Sequence, residues 1–260
     1  MYNTSMDLID THCHIDVDDF DADRAAVLAR SRQAGVTRLV VPAVLAQGWS
    51  ALLDLCRREA GLFPALGLHP VYLDQHTDAD VAALADWVAR ERPIAVGEIG
   101  LDYFVAELDR QRQQALFEAQ LRVARDAGLP VVLHIRKAHD QVLATLKRIH
   151  VRGGIAHAYN GSLPQAQQYI DLGFKLGFGG MLTYERSNKL RRLARELPLE
   201  ALVLETDAPD LTVASHRGER NSPEYLPECL RALAEVRDEE PEAIARATTR
   251  NAEQVLGLAE

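Results

Sequence analysis

The sequence alternates short apolar runs with longer amphipathic stretches along nearly its whole length, and this alternation limits the folds open to it. Eight apolar runs are predicted as strands, at residues 7–11, 38–44, 63–68, 94–99, 131–135, 154–158, 174–179 and 201–206. Runs that are apolar throughout indicate strands covered by helices, as in a parallel sheet. Eight such βα units in 260 residues favour an α/β fold of the (β/α)8 TIM-barrel type, whose usual length is about 250 residues.

Four helices are predicted to end at a glycine, because a left-handed residue is a common helix stop. They cover residues 21–34, 50–60, 108–127 and 162–172, and are followed by Gly35, Gly61, Gly128 and Gly173. After the eighth strand we expect an irregular loop at 208–221 and two C-terminal helices near 223–236 and 241–256. No linker-like segment interrupts the chain, so residues 1–260 are expected to form a single domain.

Composition excludes several classes of protein. No run of about 18 apolar residues indicates a membrane span, and residues 1–7 lack the basic start and apolar centre of a signal peptide. Cys13, Cys56 and Cys229 are too few and too scattered for a disulfide framework, so a cytoplasmic location is expected. The net charge of −9 argues against a broad positive surface for long duplex DNA. A local basic rim around a metal pocket remains compatible with that charge.

Potential metal ligands gather where the predicted strands end. They are His12 and His14 after strand 1, His69 after strand 3, Glu98 in strand 4, His134 in strand 5, His157 in strand 6 and Asp207 after strand 8. In a barrel these ends converge on one face. One histidine alone is more typical of a structural role, but five imidazoles and two carboxylates buried together need a compensating cation. The pattern therefore predicts a metal centre.

The size of this set favours two divalent ions over one. Six of the side chains exceed the needs of a single four-coordinate ion. Glu98, on the central strand of the set, is predicted to bridge the ions, with His12, His14 and Asp207 on one and His134 and His157 on the other. Such pairs activate water near neutral pH and clamp the oxygens of a phosphoryl displacement, and Asp207 would orient that water and accept its proton. Mg, Mn and Zn all suit these ligands.

Six segments together resemble the TatD-type metal-dependent deoxyribonuclease family. They read DTHCH at 10–14, GLHP at 67–70, VGEIGLD at 96–102, PVVLH at 130–134, ETDAP at 205–209 and RGERNSP at 217–223. They occur in family order, so that the resemblance runs from residue 7 to residue 257. The segments at 208–210 and 179–184 are most similar to the YjjV-like branch. The sequence departs from the family at 158–161, where AYNG stands in place of the frequent Phe-Ser-Gly.

This resemblance implies a TIM barrel of the amidohydrolase superfamily, two divalent ions and hydrolysis of DNA phosphodiester bonds, often on single strands or ends. It implies that His12, His14, Glu98 and Asp207 hold one ion and that Glu98, His134 and His157 hold the other. His69 is read as a contact to the substrate phosphate. The predicted catalytic residues are thus Asp207, Glu98 and His69, and the predicted partner is DNA, with no membrane partner and a monomer as the expected state.

Several polar and aromatic residues outside this set have two interpretations each. Arg136, Arg217 and Asn221 are candidate substrate contacts, since Arg suits bidentate phosphate binding, although Arg217 fits a solvated loop equally well. Arg186, Lys189, Arg191 and Arg192 favour a solvated helix face over a nucleic-acid track, and Arg220 favours a surface ion pair. Five aromatics follow strands and could stack bases or pack loops onto the rim: Tyr72, Tyr103, Phe104, Tyr159 and Tyr184.

The remaining ionisable residues are assigned supporting or surface roles. Asp10 and Glu205 precede ligands by two residues and are candidates to orient imidazole N–H groups. Cys13 alternates with His12 and His14, so it is expected to pack away from the pocket. Surface positions are expected for His76, His139, His150 and His216.

Two other functions remain open from the sequence. One is a metal-dependent hydrolase of a small phosphoester, lactone or amide, which the acidic net charge would suit. The other is a non-enzymatic binding module that a metal merely stabilises.

Overall fold

A computed structural model describes residues 7–258 as eight parallel strands alternating with helices around a barrel. The strands are β1 Leu8–Asp10, β2 Val36–Pro42, β3 Leu62–Leu66, β4 Ala95–Asp102, β5 Val131–Arg136, β6 Gly154–Ala156, β7 Phe174–Phe178 and β8 Leu202–Leu204. The helices are α1 Arg24–Gln33, α2 Trp49–Arg58, α3 Asp78–Glu91, α4 Arg110–Ala127, α5 His139–Arg148, α6 Leu163–Asp171, α7 Asn188–Glu196, α8 Leu226–Arg237 and α9 Pro241–Leu256. The predicted TIM barrel is confirmed.

The sheet runs in chain order from β1 to β8, and backbone hydrogen bonds join its two edges. Thr11 N–H donates to the Leu204 carbonyl at 3.0 Å, and beyond the strands His14 N–H donates to Ala208 at 2.8 Å. Closure leaves neither edge strand free to pair with another chain. It also places the carboxyl ends of all eight strands around one opening.

The interior of the barrel is filled at its lower end by small and branched side chains. One residue from each of seven strands joins a single cluster: Ile9, Val40, Ala65, Ala95, Val132, Ile155 and Val203. Ala252, Val255 and Leu256 of α9 pack against this cluster. Helix α9 therefore covers the end of the barrel opposite the predicted ligands, and a second, larger cluster fills the layer between strands and outer helices.

Three of the four predicted glycine stops end helices α1, α4 and α6, whereas α2 ends at the extended residue Glu59, two residues before Gly61. Gly35, Gly61, Gly128 and Gly173 all have positive φ, and Gly128 caps α4 at φ +67°. The pattern did not delimit α3 and α5, because neither ends at a glycine: α3 ends at Arg92 in the left-handed region, and α5 ends at the extended residue Ile149. The signal for α3 lies at its start, where Thr77 and Asp80 form a capping box.

Two expectations about histidines are wrong, and one prediction cannot be judged. His76 and His139 are buried, not on the surface. His139 lies beside Tyr169 Oη at 3.3 Å and Asn160 Oδ1 at 3.1 Å, behind the loop that follows β6. The absence of a signal peptide concerns residues 1–6, which lie outside the described residues. Among residues 7–258, no helix is long and apolar enough to cross a membrane.

Burial of His139 makes a pH dependence of stability testable. Burial lowers the pKa of His139, so below its unfolded value of about 6.5 the unfolded chain takes up a proton that the folded protein does not. The free energy of unfolding should therefore fall as the pH drops below about 6.5, by up to about 1.4 kcal/mol per pH unit for this group. His139→Gln should flatten that fall, measured by urea unfolding between pH 7 and pH 5. His150→Gln, at an exposed position, is the matched control, and parallel curves for both variants would contradict the expectation.

Candidate metal centre

Strand alternation places the polar residues of the centre directly above the apolar filling of the barrel. Side chains two residues apart on a strand share a face. Val132, Ile155 and Val203 belong to the interior cluster, so His134, His157 and Glu205 occupy the next layer. This layer is the one that opens to the mouth of the barrel.

Glu98 reaches the same layer through an irregularity in β4. Val96 pairs with Val131, but Ile99 pairs with Leu133, so β4 uses one more residue than β5 over this step. Such a bulge re-aims a side chain. The Glu98 carboxylate, 1% exposed, lies 2.9 Å from His134 Nδ1 through Oε1 and 3.0 Å from His12 Nε2 through Oε2.

His12, His14 and Asp207 meet on the other side of Glu98. The two Nε2 atoms lie 3.2 Å apart, and Asp207 Oδ1 is 3.6 Å from His12 Nε2 and 3.9 Å from His14 Nε2. Asp207 has φ +59°, a conformation uncommon for a residue with a side chain. Its N–H donates to the His12 carbonyl at 2.8 Å, so the backbone of the two ligands is tied together.

The spacing of these donor atoms fits divalent metal ions. A tetrahedral ion bound at 2.0–2.2 Å holds its ligand atoms about 3.4 Å apart. The contacts of Glu98 Oε2 with His12 and His14, at 3.0 and 3.4 Å, match that separation. Three groups have all donor atoms within 4.8 Å of one another: His12 with His14 and Asp207, His12 with Glu98 and His157, and His69 with Glu98 and His134.

This grouping differs from the predicted division of ligands. His157 was expected beside His134, but its ring stacks on His12 with centroids 3.7 Å apart. Its Nε2 consequently lies 3.9 Å from both Glu98 Oε1 and Asp207 Oδ2, between the two halves of the cluster. His69, predicted as a phosphate contact, lies inside the cluster with Nε2 3.3 Å from Glu98 Oε1.

In three of the histidines, a contact of one ring nitrogen indicates that the other nitrogen is free to bind a metal, whereas His12 Nδ1 has no hydrogen-bond partner among the described residues. In His14 and His157, Nδ1 lies 3.1 Å from an oxygen, of Pro42 and Glu205 respectively, so Nδ1–H donates and the lone pair of Nε2 faces the centre. In His134 the roles are reversed: Nε2–H donates to Asp102 Oδ2 at 2.9 Å and Nδ1 faces Glu98. These second contacts fix tautomer and orientation, as is usual for metal-bound histidine.

His69 has the opposite arrangement. Its Nδ1 accepts a hydrogen bond from Val71 N–H at 3.1 Å, so the proton of the neutral ring is on Nε2. Burial lowers the pKa of His69 to about 4, which keeps the ring neutral. His69 therefore presents a hydrogen-bond donor, not a lone pair, to the centre.

Charge in the cluster is strongly coupled. Burial alone would raise the pKa of Glu98, but His12 and His69 outweigh it and hold that pKa well below its usual range. Burial lowers the pKa of His12. Although burial also opposes protonation of His14, contact with Glu98 raises its pKa to about 9, and Glu205 and Asp207 raise the pKa of His157 to about 10. Cations and protons thus compete for the same ring nitrogens.

Two buried carboxylates support the ligands, and one of them was missed by the sequence. Glu205 Oε1 contacts His157 Nδ1 and accepts from Ala158 N–H at 2.6 Å, as predicted for a residue that orients an imidazole. Asp102 plays this part for His134, and it was missed because β4 was predicted to end at residue 99. Asp10 does not orient an imidazole ring. Its carboxylate accepts hydrogen bonds from His12 N–H and from the N–H and hydroxyl of Thr206, so it holds backbone segments together.

A glycine on β7 leaves room for one of these carboxylates. A Cβ atom on Gly177 would lie 2.1 Å from Glu205 Oε2. No side chain larger than hydrogen fits there without moving Glu205, and with it the ring of His157.

The centre lies at the base of a cavity of about 1030 Å³, at the upper end of the range for ligand pockets. His14, His69, Glu98, His134, His157 and Asp207 all line it. Arg136, a predicted substrate contact, also lines it. Cys13 is fully buried, as expected for a packing residue.

Asn221 and Arg217 are not among the residues that line the cavity. Asn221 is fully buried, and its amide donates to the carbonyls of Thr206 at 2.8 Å and Asp210 at 2.6 Å. Its oxygen accepts from Ser222 N–H. The structure thus gives Asn221 a role in holding the loop after β8, and its contact with substrate stays a prediction. Arg217 is exposed in the same loop.

Most of the other basic and aromatic candidates are engaged with the protein itself. Arg191 pairs with Glu235, Arg192 with Glu196 and Arg220 with Asp23, in keeping with solvated surfaces. Tyr159 is buried, with its hydroxyl donating to Ser162, and the Tyr184 hydroxyl donates to Thr212. Tyr103 lies under Arg110. Tyr72 and Phe104 remain exposed, at 41% and 53%.

Comparisons with known proteins agree with this fold and cluster. A sequence model of the family described as TatD related DNase matches residues 9–257. The chain is 42% identical over 246 residues to the metal-dependent hydrolase YjjV of Escherichia coli K12, covering 94% of this chain and 95% of the relative. It is 38% identical over 265 residues to a metal-dependent hydrolase of Haemophilus influenzae, covering 96% and 100%.

Solved structures give the same picture. The crystal structure of YjjV from Escherichia coli, 40% identical, has a TM-score of 0.94 and covers 98% of this chain and 100% of its own. A TatD family hydrolase of Entamoeba histolytica is 17% identical, with a TM-score of 0.84 over 96% of this chain and 98% of its own, which shows the shared fold.

The supporting carboxylates should set metal affinity. Glu205→Gln and Asp102→Asn each remove a charge that orients a ligand imidazole, and each should weaken binding of Mn²⁺ or Zn²⁺ by about 10–100-fold. Gly177→Ala should act like Glu205→Gln. Isothermal titration of metal into the metal-free protein measures the effect. Asp210→Asn, an exposed carboxylate of the same cavity, is the matched control, and equal affinities for control and test variants would refute the assignment.

The position of Asn221 makes a further prediction about stability. Asn221→Ala removes the donor to the buried carbonyl of Thr206 and to the partly buried carbonyl of Asp210. The first loss costs about 1–3 kcal/mol and the second less, so the free energy of unfolding should fall by about 1–4 kcal/mol. Urea denaturation measures this change, with Arg217→Ala as the control from the same loop. A variant of wild-type stability that binds substrate poorly would instead support the prediction that Asn221 contacts substrate.

Proposed function

This chain belongs to the TatD related DNase family, and we propose that it is a metal-dependent hydrolase that cleaves phosphodiester bonds of DNA, at single strands or strand ends. The observation that carries the proposal is that the histidines present different ring nitrogens to the centre, some as metal ligands and one as a hydrogen-bond donor. His14, His134 and His157 turn lone pairs to the centre, whereas His69 turns an N–H donor to the same place. A phosphodiester needs both: cations beside its attacked phosphorus and a donor for its oxygens.

The ligand set suits two divalent ions that share Glu98. His12, His14 and Asp207 would hold one, and His134 the other, with His157 Nε2 between them and within 3.9 Å of both carboxylates. When bound, such ions lower the pKa of a water molecule and stabilise negative charge on phosphate oxygens. Mg, Mn and Zn all remain candidates.

Asp207 is the residue best placed to take the proton of the attacking water. Its carboxylate is 15% exposed, whereas Glu98 is 1% exposed, so Asp207 faces the cavity where substrate enters. A carboxylate beside cations stays ionised, so this role depends on the position of Asp207 and not on a raised pKa. Its positive φ points the carboxylate across the mouth of the barrel, beside His14.

Two donors are available for the phosphate. His69 Nε2–H lies inside the cluster and lines the cavity, and it can bind a phosphate oxygen without carrying charge. Arg136, with its side chain 47% exposed on the cavity wall, can bind a second oxygen or the next phosphate.

One observation favours a second candidate, hydrolysis of a small phosphoester, lactone or amide. The cavity is also lined by Asp16, Asp18, Asp19 and Asp210. Four carboxylates would repel an extended polyanion that lay against them, but they leave a compact substrate unaffected.

Turnover of a labelled single-stranded oligonucleotide tests the proposal. The wild-type protein with Mg²⁺, Mn²⁺ or Zn²⁺ should release labelled products, and Glu98→Ala or Asp207→Asn should lower kcat by about 10²-fold or more. Circular dichroism and thermal melting check that both variants fold. Asp86→Asn, at an exposed position on α3 outside the cavity, is the control.

Oligonucleotide cleavage no faster in the wild type than in Glu98→Ala, across all three metals, would remove the nuclease assignment. Activity confined to small esters or amides would establish the second candidate. Metal that raises the melting temperature without hydrolysis of any substrate would point to a binding module.

A further inference from the structure

The exposed apolar side chains of this protein gather around one opening. Among residues 7–258, four large apolar side chains are more than a third exposed: Tyr72, Phe104, Met181 and Leu211. They follow β3, β4, β7 and β8, so all four lie in loops at the mouth of the barrel, the face that holds the metal centre. Exposed apolar groups concentrated at one place commonly mark a binding surface.

Phe104 is the most exposed of the four and lies between two cations. Arg136 Cζ is 4.0 Å and Lys137 Nζ is 4.9 Å from the centroid of its ring. Arg136 lines the cavity, and its Nη1 is 3.9 Å from Asp102 Oδ2, the carboxylate that holds His134. We call Phe104, Arg136 and Lys137 the Phe104 platform. It is connected to the metal centre through a single carboxylate.

The wall across the cavity carries the opposite charge. Because strand order is β1 to β8 around the barrel, the loops after β4 and β5 face those after β8 and β1. Asp16, Asp18 and Asp19 follow β1, and Asp210 follows β8. Two cations beside this wall are paired with other carboxylates, Arg24 with Asp21 and Arg220 with Asp23. Phosphates are therefore attracted to one side of the cavity and repelled from the other.

The ring of Phe104 can exchange its cations for a nucleobase. An exposed cation–π contact is weaker than the stacking of a base on an aromatic ring. Arg136 and Lys137 are on exposed side chains, so each can swing from the ring to a phosphate that flanks the stacked base. Arg136 and Lys137 would then each pair with a phosphate, while the ring of Phe104 stacks on a base.

We propose that a single DNA strand leaves the metal centre across the Phe104 platform, with one base stacked on Phe104 and the flanking phosphates paired with Arg136 and Lys137. This inference rests on the proposed nuclease function. It makes Phe104 a residue that determines binding of the strand, not one that takes part in the chemical step.

Two substrates separate these roles. For a labelled single-stranded oligonucleotide, Phe104→Ala should raise KM about tenfold, while kcat stays within about twofold. For bis(4-nitrophenyl) phosphate, which has neither a nucleobase nor a flanking phosphate, the same variant should keep kcat/KM within about twofold of wild type. Phe104→Trp should restore oligonucleotide binding, and Phe104→Leu, which keeps apolar area but cannot stack, should not. Trp87→Phe, at a half-buried ring that lies under Arg90 on α3 and does not line the cavity, is the matched control.

Binding without turnover provides a second readout. Fluorescence anisotropy of the labelled oligonucleotide in EDTA measures its affinity for the protein, and the affinities should rank the variants in the same order as the KM values. Lys137→Ala should reduce the slope of log K against log salt by about 0.7, the value for loss of one phosphate contact on a single strand.

Each outcome decides between the two proposals. If the wild type cleaves the oligonucleotide but Phe104→Ala behaves like Trp87→Phe in KM and anisotropy, the platform is overturned and the nuclease function stands. If the wild type hydrolyses bis(4-nitrophenyl) phosphate but neither binds nor cleaves the oligonucleotide, the nuclease function is overturned and the platform with it.

Discussion

One buried carboxylate, Glu98, draws together residues that are far apart in the sequence. An ionised group removed from water is destabilising unless partners compensate its charge. The partners here are imidazoles that follow β1, β3, β5 and β6, all within 3.9 Å of its two oxygens. Only a closed parallel sheet brings those strand ends to one point. The barrel and the centre therefore depend on each other, since the strands that build one carry the ligands of the other.

Much of the architecture could be predicted because its signals are local. Eight apolar runs and three glycine stops identify most strands and several helices, and the positions of His134 and His157 at strand ends identify the face that carries the chemistry. What could not be predicted depends on distant contacts. The stacking of His157 on His12, the burial of His139 behind the β6 loop and the use of Asn221 as a loop clamp all arise from tertiary packing. Asp102 was missed for a local reason, because β4 extends beyond its apolar run through a bulge.

The distribution of charge around the cavity differs from the net charge of the whole chain. A net charge of −9 is unfavourable for the DNA substrate that we propose, yet the acidic groups of the cavity are not spread evenly. They lie after β1 and β8, whereas Arg136 and Lys137 follow β5. The average charge of a chain is thus a poor guide to the field that a substrate meets, which depends on a few side chains near the ligands.

The packing of α9 against the lower strands determines where substrate and products can enter and leave the barrel. Ala252, Val255 and Leu256 press against the interior residues of the strands, so the barrel is a blind well and not a tunnel. Metal ions, water, substrate and products would therefore all enter and leave through the same mouth of the barrel. A bound product therefore blocks entry of the next substrate molecule. Product release, not bond cleavage, would then limit the rate of turnover.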